Sequence, residues 1–127
     1  MGGGRGGGYS SNSDSRVLNN FGTITREFGP AKNGLFGTEG TSKYVREIEH
    51  PNPQSAARKF FNVLSTGAEK VWQEAPGKFR AEFSNGTHVI YRTTSNSDGS
   101  PAVNFKIPPN LHTSIKTQKI HFVVKAK

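Results

Sequence analysis

The residues best suited to chemistry are His121, in the alternating stretch QKIHFV, and Arg92, in YRTTSNSDGSP, where hydroxyls follow at Thr93, Thr94, Ser95 and Ser97. Histidine titrates near neutrality and can take or give a proton. A guanidinium beside hydroxyls and a glycine-containing turn suits a phosphate. With Lys106 and Lys119 these residues match what metal-free phosphodiester cleavage requires: a base, an acid, and cations for the developing charge. RNA carries its own nucleophile, the 2′-hydroxyl, so such chemistry points to RNA rather than DNA. No Asp/Glu cluster is placed to hold magnesium, which argues against a two-metal nuclease. There is no cysteine, and His50, His88, His112 and His121 lack metal-ligand spacing. No metal or other cofactor is expected. Each residue also has a plainer reading. His121 can be a packed or surface histidine, and His88, two residues from a tight turn, a structural one. Lys106 and Lys119 can be the wet side of a strand, and Arg92 can pair with Glu82.

Charge supports a polyanionic partner. The chain of 127 residues has a net charge of +8, and residues 51–127 hold eleven Lys and Arg against four Asp and Glu. RNA is the first candidate partner and an acidic protein the second. No apolar run approaches a membrane span, and no signal-peptide core follows Met1, so no membrane partner is expected.

These residues need a scaffold. Residues 1–15, MGGGRGGGYSSNSDS, read as a disordered Gly/Ser-rich linker, and residues 16–127 as one domain. A short helix or turn is expected near Arg16–Phe21, followed by an irregular segment. Lys43–Ile48 reads as an edge strand or a helical turn. Residues 52–66 are the clearest helix: Asn52 caps it, Pro53 fits its first position, and Ala57, Phe60, Phe61 and Leu64 form one apolar face. Gly67 ends it. The period then changes to two, over Lys70–Ala75, Lys78–Phe83, Thr87–Thr93, Ala102–Ile107 and Gln118–Val124. Asn85-Gly86 is a strong hairpin signal. The expected fold is α+β: an N-terminal helical or irregular part and one main helix on a four- to five-stranded antiparallel sheet. The opposite sheet face would carry Lys78, Arg80, Lys106, Lys119 and His121, with His88 and Arg92 if the register of strand 87–93 is as drawn. A slip of one residue would reverse that strand.

Three segments in order, NPQSAARKFFNVLSTGAEKV, SNGTHVIYRTTSNSDGSPAVNF and KTQKIHFVVK, resemble the C-terminal toxin domains of bacterial polymorphic and contact-dependent inhibition toxins. The similarity covers roughly residues 43–127. It implies a fold of the barnase/EndoU/colicin/RelE ribonuclease group. It further implies a metal-independent RNase, often acting on tRNA, delivered into a competing bacterium as part of a secreted or cell-surface effector. Such a domain acts in the target-cell cytoplasm and is neutralised by a cognate immunity protein, here expected to be acidic. Arg92, Ser95, Ser97 and His121 fall on the family's motif positions, with Thr94 and Lys119 beside them. Asn85 stands where the pattern usually has Asp.

The sequence reading therefore gives a monomeric endoribonuclease leaving a 2′,3′-cyclic phosphate. His121 is general acid or base, Arg92 and Lys106 are phosphate ligands, and Ser95 or Thr94 orients the substrate. Arg46, Arg80, Ser97, Lys119 and His88 are further RNA contacts. The alternatives are a non-catalytic RNA-binding module whose GGGRGGGY segment acts as an RGG-like tail, and a domain that binds an acidic protein.

Overall fold

The computed structural model describes residues 8–95 and 98–124. Helix α2, Pro53–Leu64, forms where the capping signals put it. Asn52 Oδ1 accepts from the Ser55 amide at 3.2 Å, and Ala56, Ala57, Phe60, Phe61 and Leu64 are buried. Gly67, at φ +79°, turns the chain out of the helix.

Helix α1 corrects the expected linker and short turn. It runs Gly8–Phe28, so residues 8–15 belong to a helix, while residues 1–7 lie outside the described residues. Low helix propensity at Gly and Ser is outweighed by what the rest of the helix buries. Val17, Phe21 and Ile24 form a buried stripe at helical spacing. Asn20 Nδ2 donates to the carbonyls of Leu64 and Thr66 at 3.0 and 2.9 Å, which satisfies the open end of α2. Further along, Lys59 Nζ reaches Glu27 at 2.7 Å. Near the start, Asp14 Oδ1 accepts from Asn85 Nδ2 at 2.7 Å, and the Ser13 and Ser84 hydroxyls are bonded.

The sheet has seven strands rather than four or five: β1 Thr38–Ser42, β2 Val45–Glu49, β3 Lys70–Ala75, β4 Lys78–Glu82, β5 His88–Arg92, β6 Ala102–Lys106 and β7 Gln118–Val123. Their order is β1-β2-β7-β6-β5-β4-β3. All neighbours are antiparallel except β2 and β7, which run parallel with Glu47 opposite His121. Lys43–Ile48 therefore contributes to an interior strand, and β1 takes the edge. Gln118, 3% exposed, clips the preceding loop to this seam: its Oε1 accepts from the Phe36 amide, and its Nε2 donates to the Gly34 carbonyl.

Both helices cover one sheet face. Ile48, Phe79, Ala81, Val89, Tyr91, Val103, Phe105, Ile120 and Phe122 face them. The alternate positions form a second face that carries no helix. In β5, Val89 and Tyr91 are buried and His88, Ile90 and Arg92 lie on that open side, which fixes the register left open by the sequence.

Candidate active site

Cross-strand register aligns the open face in rows. One row runs Glu47, His121, Ala102, Arg92 and Lys78 across β2, β7, β6, β5 and β4. Arg92 is two strands from His121, about 10 Å between backbones, with the small Ala102 between them. The next row holds Lys119, Asn104, Ile90, Arg80 and Trp72, and a third holds Lys106, His88, Glu82 and Lys70.

His121 is 5% exposed and held by the loop between β5 and β6. Its Nδ1 lies 2.8 Å from Ser100 Oγ, 3.4 Å from Ser95 Oγ and 3.3 Å from Asp98 Oδ1. Asp98 organises this group. Its Oδ1 accepts from Ser100 Oγ at 2.6 Å, the Ser100 amide at 3.0 Å and Ser95 Oγ at 2.9 Å. These hydrogen bonds, those from Ser100 foremost, hold the Asp98 carboxyl at about 2, below its ordinary 3.8. A carboxylate can only accept, so both serine protons are committed to it. Nδ1 of His121 must then donate to Ser100 Oγ. This fixes the tautomer of the neutral ring: the proton is on Nδ1, and Nε2 is the basic nitrogen. Among the described residues Nε2 has no hydrogen-bond partner.

The loop itself is anchored at both ends. The Thr93 amide donates to the Gly77 carbonyl, Gln54 Nε2 donates to the Thr93 carbonyl, and the Phe122 amide donates to the Pro101 carbonyl. Inside it the Ser95 amide bonds the Ser100 carbonyl at 2.8 Å.

The other expected site residues divide into three groups. Arg92, Lys106 and Lys119 sit on the open face with no acidic partner among the described residues, so Arg92 does not pair with Glu82. Lys119 is two residues from His121. Lys106 is four residues along β6 from the His121 row, about 14 Å, so it is not brought to the histidine. Thr94 is exposed beside the loop. A second group is already engaged. Arg80 Nε binds Glu74 at 3.1 Å, and His88 Nδ1 lies 3.4 Å from Glu82. Ser95 is 3% exposed and spends its hydroxyl proton on Asp98, so it orients the histidine's partner rather than a substrate. Ser97 lies outside the described residues.

Arg46 is the clear correction. It shares the helix-side face with Ile48, is 9% exposed, and donates to the carbonyls of Phe36, Lys43 and Gly37. It holds the β1–β2 region together and cannot reach RNA on the other side. Alternation in VREIE carried this information, since Arg46 is in phase with Ile48.

Asp98 and Ser100 were missed. Asp98 is the last acidic residue in the sequence and the only one after Glu82, which is the signal that could have found it.

The depressed Asp98 carboxyl has a pH consequence. Its contribution to folding is present above the unfolded value near 3.8 and is lost as pH falls towards 2. Asp98→Asn is therefore expected to flatten the stability profile between pH 4 and about 2 relative to wild type. Thermal melts across that range check it; identical slopes would remove Asp98 as the acid-sensitive anchor.

No family model matches the chain, and no curated protein or solved structure matches it. Among the described residues, no group of three His, Asp or Glu side chains converges to hold a metal, and no helix is long and apolar enough to cross a membrane.

Proposed function

We propose that this domain is a metal-independent endoribonuclease. The observation that carries the reading is His121, tautomerically fixed by the Ser100–Asp98 pair, in one row with Arg92 on a helix-free cationic face. In the proposed step Nε2 of neutral His121 takes the proton of a ribose 2′-hydroxyl, and the 2′-oxygen attacks the adjacent phosphorus. Arg92 binds the non-bridging oxygens as their charge grows. The bond to the 5′-oxygen breaks, that oxygen takes a proton from solvent, and the products are a 2′,3′-cyclic phosphate and a 5′-hydroxyl. Asp98 stabilises the imidazolium formed on His121 through the shared serine hydroxyl and its own charge.

The three-segment resemblance extends the proposal to a toxin of interbacterial competition, delivered by a larger effector and acting on tRNA in the target cytoplasm. An acidic immunity protein suits the same cationic face.

One observation favours the second reading, a non-catalytic RNA-binding module. His121 is 5% exposed, as a residue that merely pins the loop would be, while Arg92, Lys106 and Lys119 stay available for phosphates. Incubating the domain with total bacterial RNA in EDTA separates the two. Discrete fragments ending in 2′,3′-cyclic phosphate support the nuclease. Intact RNA that shifts on a native gel supports the binding module.

A further inference from the structure

Trp72 is the chain's only tryptophan. It lies on β3, an edge strand whose every residue is exposed, and is itself 37% exposed. Its cross-strand partner is Arg80, so Trp72 stands on the open face together with Lys70, Lys78 and Arg92. The other large exposed residue of β3, Val71, pairs with Ala81 and faces the other way. Among the described residues no aromatic ring pairs with the Trp72 indole, although the buried phenylalanines pair extensively with one another. Arg80 beside it is fixed by Glu74 at 3.1 Å, which leaves a rigid rim next to an uncovered ring.

We infer that Trp72 is a stacking platform for an unpaired nucleobase, and that the ligand of the open face is a single strand laid across the strands of the sheet. The inference rests on the proposal that this face binds RNA. Charge and geometry choose this occupant. Beside Trp72, Lys70 and Arg92 have no acidic partner among the described residues, while Glu74 holds both Lys78 and Arg80. An indole beside free cations suits a polyanionic single strand, held without regard to sequence. By strand spacing and residue rise, Trp72 is about 12 Å from Arg92 and about 20 Å from His121. A few nucleotides of extended strand bridge that span. A duplex would present its backbone and keep its base faces stacked internally, out of reach of the indole.

The single indole makes the test direct. The full chain is titrated with oligo(dT), which has no 2′-hydroxyl and cannot be cleaved by the proposed route. Binding is followed by oligonucleotide anisotropy and by tryptophan emission. Saturable quenching of the emission is expected, with affinity falling about 5- to 150-fold in Trp72→Ala and largely kept in Trp72→Phe. Melting curves of both variants confirm folding. Three results overturn the inference: no oligonucleotide binding, binding that leaves the emission unmoved, or a Trp72→Ala affinity within twofold of wild type. An unmoved emission that instead responds to an acidic protein would make β3 a protein contact. Quenching without any cleavage of RNA would retain the platform and count against the nuclease alone.

Discussion

His121→Ala is expected to reduce single-turnover RNA cleavage by about 10²- to 10⁴-fold, the range for loss of a positioned proton-transfer group. The effect should fall on rate rather than binding, because in the proposed step Arg92, and not the imidazole, holds the phosphate. Oligonucleotide affinity should therefore stay within a few-fold of wild type. Burial complicates a simple reading: removing the ring strips Ser100 Oγ of its donor and costs about 1–3 kcal/mol of stability. Two further measurements separate chemistry from packing. His121→Gln retains a polar side chain of similar size and should be as inactive as alanine while melting closer to wild type. The pH–rate profile of wild type should show a limb from a basic group that both variants lack. Cleavage within twofold of wild type in the folded variants would remove His121 from the mechanism and leave the loop-pinning role.

The largest stability effect is expected at Phe60. It is fully buried, and its ring centroid lies 5.2 Å from Phe28, 5.8 Å from Phe36, 5.6 Å from Phe122 and 6.3 Å from Phe105. It thus joins α1, the loop before β1, α2 and the centre of the sheet. Phe60→Ala removes the ring from a site whose neighbours belong to four separate segments and cannot collapse together, so a loss of about 3–5 kcal/mol is expected. A domain of this size is stable by about 5–15 kcal/mol in total. The lowered urea midpoint, with an unchanged slope, measures it. A loss under 1 kcal/mol would mean that the aromatic cluster is not the centre of stability. Cleavage per folded molecule should not change, because Phe60 lies on the helix side of the sheet, away from Arg92 and His121.

Much of this architecture was legible where local chemistry is strong. Asn52, Pro53 and the 57/60/61/64 spacing announced α2. Asn85-Gly86 announced the β4–β5 hairpin, where Gly86 adopts φ +97°. Period-two alternation put Lys106, Lys119 and His121 on one side, while His88 and Arg92 joined them only once the burial of Val89 and Tyr91 decided the register of β5. Three things were hidden. Val17, Phe21 and Ile24 have helical spacing, but Gly and Ser around them lowered the propensity that would have revealed α1. Strand neighbours are not encoded in alternation, so nothing local told that Val45–Glu49 would pair parallel with β7. The Asp98–Ser100–His121 group joins a turn to a strand some twenty residues on, and only register could show that contact. Arg46 was legible and misread, because cation identity was weighed above its phase.

The placement of β7 has one more consequence. This strand is a keystone: with it absent, β1–β2 and β3–β6 are two separate sheets with no strand pairing between them. Its pairing with β2 closes a loop of more than seventy residues, the kind of long-range closure that makes folding slow and cooperative. His121 sits on the keystone itself. The proposed chemistry is thus available only after the whole sheet has closed, and any opening large enough to release β7 switches it off. Amide exchange along β7 should then report the global unfolding free energy, and a chain still threading or partly assembled would be harmless to the RNA around it.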